Sequence, residues 1–196
     1  MYDPKALTLL PGYLPQSLAC DVETNGTAMK YEQLSEDDIR AITAAYYAMI
    51  TEIDDAVSRL IALLREKNLY DNTMIIFTSD HGEYMGFHHM MLKCNHLYDP
   101  LARIPLLVKY PQHIHLPQND TRLTENIDIA PTVLDVCGLP VPDTMQGRSL
   151  FDEKSRELVF SEGQYGTETQ PCLGYMLRTS RFKLLVRGSM EGAMLI

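Results

Sequence analysis

An α/β fold with a mainly parallel sheet, followed by a small antiparallel sheet, is what three features of this 196-residue chain predict. A long stretch carries apolar residues at helical spacing from Ile39 to Leu64. Two short apolar runs, Met74 to Phe77 and Ile104 to Lys109, read as strands, and helix followed by strand is the alternation of a parallel sheet covered by helices. Past Gly138 the pattern changes to short runs at Leu158 to Ser161, Gly174 to Arg178 and Phe182 to Val186. Thr179, Ser180 and Arg181 join the last two as a hairpin, with the first as a preceding strand.

Residues 1–34 contain Pro4, Pro11, Pro15, Gly12 and Gly26 and few periodic apolar positions, so they read as an irregular segment lying over something else. From Ser35 the character changes. Ser35 with Asp38 three residues on is a helix start of the capping-box type, and the acidic first turn suits the helix dipole. Ile39, Ile42, Tyr46, Met49, Ile53, Val57, Leu60 and Leu64 then repeat at three and four, which predicts a helix whose core stripe packs on a sheet. Asp54 and Asp55 are neighbours on that helix. Adjacent side chains there diverge by about 100°, so the pair belongs to solvent or a local salt bridge rather than to one metal ion.

Asn68 to Asn72 breaks the helix before the first strand, which reads as buried on both faces and ends in polar Ser79 and Asp80. Asp128 to Val136 is a second helix, with Asp128 as its cap, Pro131 in the first turn and Gly138 just past its end. The chain so divides into an irregular cover (1–34), an α/β portion (35–150) and part of an antiparallel subdomain (151–196).

With 26 acidic and 17 basic residues the net charge is −9, which excludes the electrostatic footprint of a nucleic-acid binder. No apolar run reaches membrane-spanning length, and residues 1–20 lack the basic start of a signal peptide, so a soluble protein is expected. Cys20, Cys94, Cys137 and Cys172 show no paired spacing for zinc or redox chemistry and read as buried or idle thiols. Cys94 follows Lys93, a cation that can lower a thiol pKa, yet no nucleophile motif surrounds it.

In an open α/β sheet ligands collect past the carboxyl ends of strands, where Asp80, His81 and Glu83 emerge. Gly82 and Gly86 let the following backbone turn tightly. Asp80 and His81 offer an oxygen and an imidazole nitrogen suited to a divalent cation; equally, Asp80 can cap the next turn and His81 can bond a carbonyl. His88, His89 and His96 fit no helical i, i+4 pair and no zinc-finger spacing, so they read as polar histidines lining a cleft. Lys93 by itself reads as a solvated charge.

The string S-D-H-G-E-Y-M-G-F-H-H-M-M-L-K, from Ser79 to Lys93, resembles the second metal-and-lysine segment of the sulfatases and phosphonate monoester hydrolases, members of the alkaline phosphatase superfamily. Asp80 and Lys93 keep the family's interval of thirteen, and Gly86 and His88 stand in place. Phe87 occupies a position where an acidic residue is common. Flanking segments Y-Y-A-M-I-T-E-I-D-D-A-V, R-I-P-L-L-V-K-Y-P, I-D-I-A-P-T-V-L-D-V-C-G-L-P and G-R-S-L agree with the same family.

The resemblance implies a partial alkaline-phosphatase-like α/β/α sandwich. It makes Asp80 and His81 ligands of one divalent ion, Ca²⁺ first with Mg²⁺ or Mn²⁺ as alternatives, and gives Lys93 the ester oxygens. It assigns His88 and His96 to positioning the ester or to protonating the leaving group. The substrate implied is a sulfate ester of a small molecule or saccharide, with a phosphonate monoester or phosphodiester as the alternative. The family's nucleophile is a formylglycine made from the first residue of C-x-P-x-R or S-x-P-x-R, and its other metal ligands come from an early Asp-Asp or Asp-Asn strand end. No cysteine or serine here has that context, and Asp37 and Asp38 lie at a helix start, so they do not replace those ligands. The expectation is therefore the carboxyl-terminal part of a sulfatase, inactive alone. A noncatalytic module that docks through a bare apolar face is the competing expectation.

Overall fold

The computed structural model describes residues 2–22, 31–93, 96–114, 121–152, 154, 156–167, 170–189 and 192–195. Two compact units are present: Met1–Cys94 with Tyr98–Leu116, and Asn95–Leu97 with Pro117–Ile196.

In the first unit, single helical turns lie at Pro4–Ala6, Ala19–Val22 (α1) and Tyr31–Gln33. The long helix α2 spans Glu36–Glu66. Its start is the predicted capping box: Asp38 N–H donates to Ser35 Oγ at 3.2 Å, and Ser35 N–H to Asp38 Oδ2 at 2.9 Å. Hydrogen bonds from Ser35 hold the Asp38 carboxyl below the usual carboxylate range. At the other end the chain leaves through Asn68, in the left-handed region at φ 56°, and Leu69 N–H closes on Leu64 O at 2.8 Å.

The stripe along α2 is only partly core. Ile39 is fully buried and joins Tyr31, Met85 and Met91, but Met49, Ile53 and Leu60 are 53%, 53% and 63% exposed. The expectation of a stripe packed throughout on a sheet fails here, because among the described residues the elements meeting α2 are the short turns Pro4–Ala6 and Tyr70–Asn72.

Strands β1 (Ile75–Thr78) and β2 (Leu106–Lys109) pair antiparallel, with Phe77 opposite Leu107. The mainly parallel sheet is thus not seen among the described residues. Among the described residues the connection from β1 to β2 carries the short helix α3 (Asp99–Ala102). Nor is β1 buried on both faces, since Phe77 and Leu107 are exposed together.

The second unit contains helix α4 (Ile129–Val136) and a four-stranded antiparallel meander, β3 (Val159–Thr167), β4 (Gln170–Arg178), β5 (Lys183–Ser189) and β6 (Gly192–Leu195). Thr179 turns the β4–β5 hairpin: its N–H donates to Phe182 O at 2.8 Å and its Oγ1 accepts from Phe182 N–H at 2.9 Å. Pro131 lies in the first turn of α4, and Gly138 follows its end at φ 66°. Asp128 does not cap α4 through its side chain, as the sequence suggested. Its carboxylate instead accepts from Glu125 N–H at 2.9 Å and Arg148 N–H at 2.7 Å and pairs with Arg156, which also holds Glu125 at 2.5 Å.

Candidate metal and ester site

Strand β1 ends at Thr78, and the next residues are pinned by their own hydroxyls and amides. Thr78 Oγ1 donates to Pro105 O at 2.8 Å, and Ser79 Oγ to His81 O at 2.6 Å. Asp80 is exposed, and its Oδ1 accepts from His81 N–H at 2.9 Å. That backbone bond, helped by the Lys93 charge and opposed by desolvation, keeps the Asp80 carboxyl below its usual range, so it is an anion ready to ligate.

Gly82 sets the path. A Cβ there would lie 1.9 Å from Pro100 O, and in its absence Gly82 N–H reaches Leu101 O at 2.8 Å and Glu83 N–H reaches Pro100 O at 3.1 Å. The Gly82 carbonyl is then placed 2.8 Å from His81 Nδ1. Lys93 Nζ lies 3.0 Å from His81 Nε2, and an ammonium can only donate. Nε2 is therefore the acceptor, and the ring proton sits on Nδ1, bonded to Gly82. This is the tautomer that offers Nε2 to a metal, fixed by the kind of carbonyl contact that orients metal-binding histidines. Asp80 Oδ2 and His81 Nε2 stand 3.6 Å apart. With Nε2 unprotonated this is no ion pair, but it is a separation that two ligands of one cation, each at roughly 2.0–2.6 Å, can span.

So the structure brings together Asp80, His81 and Lys93. These residues fit a divalent ion as two of its ligands, and among the described residues no group of three or more His, Cys, Asp or Glu side chains gathers. Glu83 turns inward on its own loop, its Oε1 accepting from Met85 N–H at 3.3 Å.

Within the first unit, His88 and His89 take different surroundings. From Tyr84 to Leu92 the loop folds back on itself through Tyr84 N–H to Leu92 O at 3.2 Å and Gly86 N–H to Met90 O at 2.8 Å, which puts His88 at the tip and Asp80 and Lys93 at the base. His89 is buried, its Nδ1 3.1 Å from Leu14 O and its Nε2 2.8 Å from Tyr31 O, so it ties the amino-terminal segment to the loop. His96 is buried and belongs to the second unit. His88 Nδ1 meets Asp21 Oδ2 at 3.0 Å, and its ring stacks on Phe87 with centroids 4.0 Å apart. The carboxylate beside His88 thus comes from Asp21. Sequence reasoning missed that residue, since it lies 67 positions away in a stretch without periodicity. Cys94 lies outside the described residues; Cys137 is a free, exposed thiol.

A family model described as Sulfatase matches residues 16–139, more than half of the chain. The chain belongs to the sulfatase family. Its matched segment includes Asp80, His81 and Lys93. Among curated relatives of this sulfatase-family chain, the multifunctional alkaline phosphatase superfamily protein PehA of Trinickia caryophylli is 43% identical over 119 residues, 60% of this chain and 23% of that protein. An N-acetylglucosamine-6-O-sulfatase of Bacteroides thetaiotaomicron is 31% identical over 166 residues, 80% of this chain and 28% of that one. A solved phosphonate monoester hydrolase from Silicibacter pomeroyi superposes on all of this chain and 45% of its own, with TM-score 0.77 and 28% identity. The chain spans about a quarter of the length of the curated relatives it matches.

Proposed function

We propose that Asp80, His81 and Lys93 form part of a sulfuric ester hydrolase site, with Asp80 and His81 holding a divalent cation and Lys93 contacting the ester oxygens. The observation that carries this reading is one imidazole nitrogen, His81 Nε2, lying 3.6 Å from a carboxylate oxygen and 3.0 Å from an ammonium. Hydrolysis of a sulfate ester builds negative charge on nonbridging and leaving oxygens, and a bound cation would polarise them. Lys93 adds a mobile point charge, Asp80 keeps the site anionic enough to hold the cation, and Gly82 O keeps His81 in its ligating tautomer. Ca²⁺ is the first candidate, with Mg²⁺ or Mn²⁺ as alternatives, by resemblance to the sulfatase family; Asp80 supplies the oxygen that all three prefer.

No C-x-P-x-R or S-x-P-x-R occurs in these 196 residues, so by this reading they do not turn over an ester alone. The α/β/α sandwich with a mainly parallel sheet belongs to the same proposal, and the open face carrying Phe77 and Leu107 is where further layers would cover β1 and β2. Mn²⁺ titrated into chain labelled with ¹⁵N at histidine and lysine should broaden the His81 ring and Lys93 signals together, and Asp80→Asn should abolish this. Broadening indifferent to Asp80→Asn would overturn the site, and metal-dependent turnover of 4-nitrophenyl sulfate by this chain would overturn its inactivity.

Phosphonate monoester or phosphodiester hydrolysis is the second reading, supported by the likeness to a phosphonate monoester hydrolase. Relative rates on an aryl sulfate and a phosphonate monoester, measured with a protein that adds a nucleophile segment to this chain, decide between the two. The exposed stripe of α2 supports a noncatalytic docking module instead, a reading that requires concentration-dependent association with no Mn²⁺ effect at His81.

A further inference from the structure

Asp21 is a fully buried carboxylate in α1. Burying an ionised carboxylate is costly unless its oxygens are bonded, and here both are: Oδ2 faces His88 Nδ1 at 3.0 Å and Oδ1 accepts from Tyr98 Oη at 3.1 Å. An ionised carboxylate only accepts, so His88 Nδ1 carries the ring proton and Nε2 carries the lone pair. Phe87 stacks on one side of the ring at 4.0 Å, and Tyr98 meets it edge-on at 5.0 Å.

What is left of the ring is its Nε2 edge. The His88 side chain is 21% exposed, and Nε2 has no hydrogen-bond partner among the described residues. Among those residues Ser17 Oγ is the single buried side-chain nitrogen or oxygen without a partner, so an unpartnered Nε2 must reach solvent. The backbone maintains this presentation in a conformation L residues avoid: φ is 45° at Met85, 49° at His88, 60° at His89 and 61° at Leu92. Such a cluster persists only where the surroundings over-determine it, and it concentrates at ligand sites.

We infer that His88 Nε2 is a hydrogen-bonding subsite for a hydroxyl on the alcohol part of the ester, and that Asp21 is the residue that positions it. The inference rests on the sulfate-ester reading of Asp80, His81 and Lys93. Two backbone rungs separate His88 at the loop tip from those residues at its base, so the proposed contact is to a part of the ester away from its charged group. A neutral Nε2 accepts the hydroxyl proton without transferring it. Asp21 fixes which ring nitrogen carries the lone pair and the direction it faces; Tyr98 fills the other oxygen and prevents the carboxylate from turning away.

The test uses glucosamine 6-sulfate and inorganic sulfate as probes, followed by chemical shifts of the His88 and Lys93 side chains at about pH 8, above the ordinary imidazole range of roughly 6.5. Glucosamine 6-sulfate should move both residues, and inorganic sulfate should move Lys93 alone. His88→Phe, which keeps an aromatic ring for the stack, should weaken glucosamine 6-sulfate about tenfold, the scale of one hydrogen bond, and leave inorganic sulfate unchanged. Asp21→Asn should produce the same selective loss, with the His88 ring nitrogens shifting to a mixture of tautomers. Equal affinity of native and His88→Phe chains for glucosamine 6-sulfate, with Lys93 still responding, would overturn the subsite and leave the ester reading standing. Absence of any Lys93 response to either probe would overturn the ester reading and this inference with it. A merely structural Asp21–His88 contact would change both probes equally and so count against the proposal.

Discussion

Lys93 and a divalent cation want the same lone pair. Because Lys93 Nζ donates to His81 Nε2 at 3.0 Å, a cation that ligates His81 has to displace that bond and also meets the ammonium's charge. Lys93→Met is therefore expected to raise Mn²⁺ affinity a few-fold while reducing the affinity for inorganic sulfate, both read by titration; a fall in Mn²⁺ affinity would place the lysine among the supports of the cation instead. Asp80 supplies a pH test. Its carboxyl is held low first by the His81 N–H bond, and a depressed folded pKa means that its contribution is present above the unfolded value of about 3.9 and is lost as pH falls through the lower, folded value. Carboxyl ¹³C shifts should show Asp80 titrating after an unperturbed aspartate as acid is added. The grouping of Asp80, His81 and Lys93 comes from the family resemblance of the string Ser79 to Lys93, since Lys93 by itself reads as a solvated charge. Asp21 could not be found that way, because what makes it important is a contact 67 residues distant that exists only once α1 is laid against the loop.

Elements set by local chemistry followed the sequence, and those set by distant neighbours did not. The start of α2 is written in Ser35 and Asp38, which bond each other within one turn, so Ser35→Ala should cost about 1 kcal/mol in a denaturant titration with little change in slope. Strand direction has no such local signature. Ile75–Thr78 would read the same beside a parallel or an antiparallel partner, and its pairing with the distant Leu106–Lys109 leaves no mark on the local pattern. Strand β6, Gly192–Leu195, is too short and too weakly patterned to announce itself. Gly82 was legible as a turn residue, but its need is steric: the Pro100 carbonyl occupies the space a side chain would take. Gly82→Ala should force that carbonyl aside, break the Gly82–Leu101 bond, and destabilise by about 1–3 kcal/mol, the usual range for overpacking. The same shift frees His81 Nδ1, so Mn²⁺ broadening at His81 should weaken in parallel.

For the whole molecule the feature that decides behaviour in solution is the uncovered side of α2. Met49, Ile53 and Leu60 recur at intervals of four and seven, fall on one side of the helix, and are more than half exposed. Each such side chain gains about 1.5–3 kcal/mol when fully covered, so a face of three favours any apolar surface that fits it. Against this stands the net charge of −9, which separates copies of the chain. Replacing all three with lysine makes the two effects compete visibly. The change brings the net charge three units closer to zero, which by itself promotes association, while removing the apolar contact. Sedimentation equilibrium should therefore show the native chain gaining mass with concentration and the triple lysine variant remaining monomeric, with helical circular dichroism unchanged because all three positions are solvent-facing. Association that persisted or grew in the variant would assign it to charge neutralisation or to the exposed Phe77 and Leu107 face, and would remove α2 as the surface that a covering layer or partner uses.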